Sequence, residues 1–241
     1  MTHAPARDNL RIISYWCGRE EGWLSLGEGA SDSEAAALAE DHADTPEARA
    51  FLAKSLVSIN RDAAGTVGQW FAYVPDRNTG EVVVFGQSAA ILLPSVQEAT
   101  AEAYAARSPQ TVGGRKFKVL DHSAIVVQCP AGPAACVATL QRQRYTTSIF
   151  QVVEIVVFPE YEGLREGVQT ILYSSHLDLM EDVGTWCREM ANSSGADVGY
   201  ADGTVLASFG IPPGQGGIDV GPNPEVWRRD GPGLALGDSA G

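Results

Sequence analysis

The chain has 241 residues, enough for one large domain or two small ones, and 44% of them are hydrophobic while 20% are charged. This composition is typical of a globular protein that buries a core. The net charge of −13 argues against nucleic acid and against an anionic membrane surface, because both carry negative charge themselves. We therefore expect neither nucleic acid nor a membrane as a partner.

The start of the sequence and its cysteines predict a cytoplasmic protein. Residues 1–10 are polar and lack the apolar stretch of a signal peptide. The longest apolar runs, 149–158 and 89–94, are too short to span a bilayer. The cysteines lack the paired spacing of a zinc site, so we interpret them as small buried hydrophobic residues in a reducing compartment. They are Cys17, Cys129, Cys136 and Cys187.

Two short segments near the start of the chain have the composition of strands. Residues 10–16 form a β-rich run, and residues 22–26 carry large apolar side chains in an alternating pattern. A helix is predicted over 34–42, for which Ser31 and Asp32 are candidate N-cap residues.

A second helix is predicted to start at Pro46. Proline is favoured at the first helical position, where its missing N–H costs no hydrogen bond, and Thr45 before it is a cap residue. Apolar residues at helical spacing predict the buried stripe of this helix. These residues are Phe51, Leu52, Leu56 and Ile59.

From residue 67 the apolar pattern changes to period two and predicts a strand meander. The predicted strands cover 70–75, 81–93, 116–120, 124–129, 134–143, 149–158 and 167–175. The strand over 149–158 is the most hydrophobic of them, so we expect it to be central. Helices over 95–107 and 178–191 interrupt and close this meander.

The organisation that follows is a flexible N-terminus over 1–9, a single α+β domain over 10–194 and a tail over 195–241. The domain is predicted to contain a central antiparallel sheet of about five to seven strands with helices packed on it. The tail is rich in glycine and proline, so we predict that it is flexible and largely disordered, with one short strand at 204–209.

Three segments of the sequence combine turn and packing motifs in a fixed order. Gly-Trp-Leu-Ser-Leu at 22–26 precedes an Ala-rich acidic helical segment, and Pro-Ala-Gly-Pro-Ala at 130–134 joins two strands. A strand ending at Pro159 then leads to Ile-Leu-Tyr-Ser-Ser at 171–175 and an acidic closing helix. This combination resembles a group of uncharacterised proteins of high-GC, actinobacterial-type bacteria, and the plan over 10–193 resembles the PsbP-like fold. The resemblance implies a binding, scaffold or lipoprotein module rather than an enzyme.

The chain contains no Gly-x-Ser-x-Gly nucleophile motif. The nearest arrangement is the segment 174–178, Ser-Ser-His-Leu-Asp, whose successive side chains point in opposite directions along a strand end. We interpret Ser175 or Asp178 as the cap of the closing helix, and the nearby Glu181 and Asp182 as acids favoured by its dipole. The sequence therefore predicts no catalytic residue, no cofactor and no metal site.

Charge is distributed unevenly along the chain. The segment 111–150 contains five cationic residues and a single acidic residue, Asp121. They are Arg115, Lys116, Lys118, Arg142 and Arg144. If their strands are adjacent, these cations form one patch. The patch is either a solvated sheet face, a partner for the acidic helix, or a docking surface that steers an acidic protein.

The tail carries a second candidate contact site. Trp227, Arg228 and Arg229 follow one another there, and Trp and Arg are favoured anchors of protein interfaces. This cluster either contacts a partner or folds back onto its own domain.

The leading hypothesis is therefore a non-enzymatic binding or accessory protein that contacts another protein through the patch or the tail. One alternative is a small-molecule binder with an apolar cavity between sheet and helices. The residues expected to line that cavity are Trp70, Phe71, Phe85 and Trp186. A further alternative is an enzyme with an unfamiliar site, which would require titratable groups such as His122 and His176 to converge in one cleft.

Overall fold

The structure, a computed structural model, describes six segments of the chain. These are residues 10–18, 22–26, 31–63, 68–111, 117–144 and 148–211. Within them the chain forms an α+β architecture of two antiparallel sheets and four α-helices. The larger sheet has seven strands, which confirms the predicted class and the predicted size of the central sheet.

The strands and helices are numbered in chain order. The larger sheet consists of β2 (Trp23–Leu26), β3 (Gln69–Tyr73), β4 (Val84–Leu92), β5 (Phe117–Cys129), β6 (Gly132–Gln143), β7 (Ile149–Val157) and β8 (Glu166–Ser174). The smaller sheet consists of β1 (Leu10–Trp16), β9 (Gly195–Tyr200) and β10 (Val205–Gly210). The helices are α1 (Asp32–His42), α2 (Pro46–Ala63), α3 (Ala101–Thr111) and α4 (Met180–Asn192). None of the helices in the described segments combines the length and apolar character needed to cross a membrane.

Helix α2 begins at Pro46 as predicted, and α1 begins at Asp32, two residues before the predicted start at residue 34. Ser31, and not Asp32, caps α1 in a capping box with Glu34, whose carboxylate accepts the backbone N–H of Ser31 at 2.6 Å. Thr45 caps α2 by accepting the backbone N–H of Ala48 at 3.1 Å. Both caps satisfy N–H groups that have no partner inside the helix.

The buried stripe of α2 differs from the prediction at one position. Leu52 and Leu56 are fully buried and Ile59 is nearly so, whereas the side chain of Phe51 is 50% exposed. Phe51 directly precedes Leu52, so the helical rotation of about 100° per residue carries it off the inward face. Its inclusion in the stripe was wrong because apolar character alone does not fix the phase of a helix.

The seven-stranded sheet has the order β2-β3-β4-β8-β7-β6-β5. Strand β7, the most hydrophobic, pairs with β6 and β8 and therefore lies inside the sheet. The predicted strands over 116–120 and 124–129 are instead the single strand β5, which pairs with β6 along its length. A register shift between Val119 and Asp121 allows the residues between the two predicted strands to continue the pairing with β6.

The two faces of the larger sheet carry different layers. On one face, which we call the α4 face, Val153, Ile155 and Leu172 pack against Val183 and Cys187 of α4. The smaller sheet covers the end of the same face. The strand pleat therefore sends every second side chain of β7 and β8 into the main core.

The opposite face is covered at both ends but not in the middle. Helices α1 and α2 pack on β2 and β3 through a core that includes Leu52, Leu56 and Trp70. Helix α3 packs on β5 and β6, and its Ala101 belongs to a buried cluster that includes Val156 of β7. We call the space between these two helical layers the groove.

The folded domain extends beyond the predicted boundary at residue 194. Strand β9 pairs with both β1 and β10, and Ala196 and Val198 are fully buried. Strand β9 is not predicted from the sequence, because its glycines are typical of a flexible tail. Gly195 is required by packing, since a Cβ there would lie 2.2 Å from the ring of Trp16. The strand predicted over 204–209 is confirmed as β10, while residues 1–9 and 212–241 lie outside the described segments.

Substitution of Val198 by Ala tests whether β9 belongs to the cooperative fold. Removing two buried methyl groups is expected to lower the free energy of unfolding by about 2 kcal/mol. The matched control is Val205→Ala on β10, where the side chain is 52% exposed and the expected change is within about 0.5 kcal/mol. Urea unfolding of both variants measures the difference, and equal effects would place β9 outside the core.

Candidate functional site

The first candidate surface is the end of the β5–β6 hairpin. Lys118 and Arg142 are directly opposed in register, so both side chains leave the same face of the sheet. Both are exposed, and neither makes an ion pair with any residue of the described segments. Like charges directly opposite one another destabilise a strand pair. The sheet therefore gains nothing from this arrangement.

Arg144 lies at the same end of the hairpin. Its Nε donates a hydrogen bond to the backbone carbonyl of Phe117, next to Lys118, at 3.2 Å. The structure thus brings together three of the five predicted patch cations, and we call Lys118, Arg142 and Arg144 the cationic end. Arg115 and Lys116 lie outside the described residues. The same holds for the tail cluster of Trp227, Arg228 and Arg229.

The second candidate surface is the groove on the larger sheet. Phe85 of β4 lies opposite Tyr173 of β8, and Glu154 of β7 lies opposite Ile171 of β8. Because positions 171 and 173 are two apart on one strand, all four side chains point into the groove. Each of them is half-buried.

Glu154 is held by two hydrogen bonds to one of its oxygens. The hydroxyl of Tyr104, from α3, donates to Oε1 at 2.7 Å, and Nε2 of Gln169 donates to the same atom. No group in the described segments donates to Oε2. The carboxylate is therefore fixed in orientation while one oxygen keeps its full capacity to accept hydrogen bonds.

An aromatic row runs along the floor of the groove towards Glu154. The ring of Tyr173 stacks on Phe85 with centroids 5.1 Å apart, and Phe85 stacks on Trp70 at 6.5 Å. Burial, and then the negative charge of Glu154, raise the pKa of Tyr173 to about 12. The same two causes hold the pKa of Tyr104 well above its usual value, so both phenols stay protonated at neutral pH.

A cavity of about 440 Å³ lies between α3 and the end of β4. Its wall is mostly apolar but includes the side chains of Tyr104, Arg107 and Ser108. Arg107 forms an ion pair with Glu98 and places its guanidinium 5.8 Å from the centroid of the Tyr104 ring. The volume lies in the range of cavities that bind small molecules.

The four aromatic residues expected to line one cavity do not do so. Trp70 and Phe85 stack on the groove face, whereas Phe71 and Trp186 pack with the core under α4. The reason is the pleat, since the adjacent residues Trp70 and Phe71 of β3 point to opposite faces.

The two histidines considered for an enzyme lie far apart. His122 on the outer strand β5 places Nε2 3.0 Å from the Ser108 hydroxyl, where it links α3 to the sheet. His176 follows β8, and its Nε2 lies 3.4 Å from Oε1 of Glu81. Neither Ser175 nor Asp178 caps a helix. The hydroxyl of Ser174 instead accepts the backbone N–H of His176 and donates to the carbonyl of Val83.

The cysteines gather on the α4 face. Cys129, Cys136 and Cys187 are buried, as predicted, while Cys17 is half-exposed, and none is in a disulfide. Burial raises the pKa of the Cys129 thiol to about 11 and raises that of Cys136 further, with the Cys129 charge adding to the effect. These thiols therefore remain protonated and unreactive at neutral pH. Across the described segments, no three His, Cys, Asp or Glu side chains are arranged to hold a metal.

No known family model matches the chain, and no curated protein matches it in sequence. Function is therefore inferred from the surfaces of the protein themselves. Sequence reasoning found the cationic end but missed Glu154. The available signal was a carboxylate inside the most apolar strand of the chain, where charged residues are rare unless paired.

Alkaline unfolding tests the arrangement of Tyr173. Its contribution to stability is fully present below about pH 10, where the unfolded phenol titrates. That contribution is lost as the pH rises towards about 12, the folded pKa. Tyr173→Phe is therefore expected to lose less stability than wild type between pH 7 and pH 11 in urea unfolding. The difference between the two free energies of unfolding at pH 7 measures any change in packing. The same pH dependence in wild type and variant would contradict the prediction.

Proposed function

We propose that the protein is a non-enzymatic binding or accessory protein whose cationic end docks an acidic protein partner. The observation that carries the proposal is the exposed Lys118–Arg142 pair, directly opposed in register and without an ion-pair partner in the described segments. On a body with a net charge of −13, such a local surface orients an acidic partner during encounter.

The strand that carries Lys118 supports this proposal. Strand β5 is the outermost strand of the larger sheet, and its Leu120 and Val126 side chains are each 42% exposed. A long outer strand offers backbone hydrogen bonds to an extended segment of another protein. In that arrangement, the backbone supplies affinity and the cationic end selects for negative charge.

The proposal includes a PsbP-like fold and a cytoplasmic location. Helices on both faces of an antiparallel sheet support the first, and that resemblance implies a binding or scaffold module. Four cysteines outside any disulfide support the second, because reducing compartments keep thiols free.

Charge reversal tests the docking surface. In a pull-down from native lysate with quantitative mass spectrometry, the double variant Lys118→Glu/Arg142→Glu is expected to recover acidic partners roughly tenfold less, a loss of about 1.4 kcal/mol. The matched control is Lys54→Glu/Arg61→Glu, which makes the same charge change on exposed positions of α2. Recovery should also fall with salt. Equal recovery by the two double variants would refute the proposal.

The 440 Å³ cavity favours a second candidate function, the binding of a small molecule. Its apolar wall with a few polar groups is the composition that small-molecule sites share. A ligand bound there would be held mainly by burial, with Arg107 as the charged group of the wall.

A thermal-shift screen of small amphipathic compounds tests this second function. A compound at a hundredfold excess over its Kd is expected to raise the Tm by about 5–10 °C. The variant Ile91→Trp narrows the cavity and should abolish the shift, whereas Val205→Trp on the exposed face of β10 should preserve it. Hits that persist in Ile91→Trp would place the ligand elsewhere.

A further inference from the structure

The groove contains a charge that the fold itself does not explain. Glu154 lies on β7, inside the larger sheet, and forms no ion pair with any residue of the described segments. Arg107 approaches the ring of Tyr104 but is paired with Glu98. Half-buried carboxylates are costly unless a positive charge or several donors compensate them.

The two hydrogen bonds to Glu154 do not require a negative charge. Tyr104 and Gln169 both donate to Oε1, which ties α3 to the sheet. A glutamine at this position would offer an amide oxygen in the same place and could accept both bonds. The anchoring of α3 therefore accounts for an acceptor at position 154, but not for a carboxylate.

The surroundings of the second oxygen favour a positively charged organic group. Tyr173 is the diagonal neighbour of Glu154 on β8 and stacks on Phe85. Diagonal neighbours on adjacent strands lie within reach of an aromatic side chain, so Glu154 and the ring of Tyr173 border the same part of the groove. Aromatic faces attract cations, and ammonium groups bind well where rings and a carboxylate occur together.

We propose that the groove binds a small organic ammonium ion, with its charge held by Glu154 and its apolar substituents against Tyr173 and Phe85. Helical layers lie on both sides of the floor and the floor side chains are half-buried, which favours a small ligand over a broad protein surface. This site is independent of the cationic end, which carries the opposite charge. It adjoins the 440 Å³ cavity through Tyr104, but Glu154 is not part of that cavity's wall.

Titration of the full chain with two matched probes tests this inference. The probes are choline chloride and 3,3-dimethylbutan-1-ol, which has the same shape as choline but no charge. Heteronuclear NMR is expected to show choline shifting the resonances of Ile171 and Tyr173. The neutral isostere should bind at least about tenfold more weakly, because it lacks the positive charge that the carboxylate and the aromatic faces attract.

Variants then assign the effect to the carboxylate. Glu154→Gln keeps the acceptor for Tyr104 and Gln169, so it should fold and lose the preference for choline. Tyr104→Phe removes one of those donors and should retain the preference. If Glu154→Gln does not fold, Tyr173→Leu provides the test, because it should weaken the binding of choline more than the binding of the neutral isostere. Lys118→Glu/Arg142→Glu should leave choline binding unchanged, which separates this test from that of the docking surface.

Several results would overturn the inference. These are equal affinity for the two probes, unchanged preference in Glu154→Gln, or shifts located outside the groove. The inference also fails if choline produces no more shift than sodium chloride at equal concentration. Binding of a lysine-rich peptide in the groove without binding of choline would assign Glu154 to a protein side chain instead.

Discussion

The pairing of β7 with β8 determines what each face of the larger sheet presents. The register that sets Glu154 opposite Ile171 also sets Val153 opposite Leu172, so the same ladder fills the core under α4 and supplies the floor of the groove. A slip of one residue would turn Glu154 into that core and Val153 into the groove. Apolar packing on one face therefore holds a carboxylate in place on the other.

Some charges of the helical layers are paired within their own layer. Arg49 pairs with Glu40 at 2.9 Å, and Arg77 pairs with Asp44 at 3.0 Å, both within the layer formed by α1, α2 and the loops beside them. The cationic end and Glu154 have opposite signs, and the described chain gives neither an ion-pair partner. Lys54 and Arg61 of α2 also lack an ion pair within the described segments, so what distinguishes Lys118 and Arg142 is that they lie directly opposite one another in register.

Periodicity and cap residues predicted most of the helices and strands, because these signals are local. Strand β9 was not predicted, because the contacts that require its glycines are not visible in the local sequence. A Cβ at Gly195 would meet the ring of Trp16, which is distant in sequence, and a Cβ at Gly199 would meet the backbone of Thr204, which follows a turn. The groove was missed for a similar reason. The approach of Tyr104 to Glu154 depends on how α3 packs on the sheet, and no spacing along the chain encodes that contact. Lys118 and Arg142 were found because they lie on strands joined by a short turn.

The smaller sheet joins the beginning of the described chain to its end, with Leu10 and Tyr200 as register partners. Strand β1 leaves the ribosome early but cannot pair until β9 has been synthesised and released. Until then Ile12 has no partner in Val198, and the ends of β4 and β8 remain uncovered on the α4 face. Closing so long a loop is slow compared with forming local hairpins. Completion of this domain is therefore a late event in its biosynthesis, and an interrupted chain would expose apolar surface at the end of its main sheet.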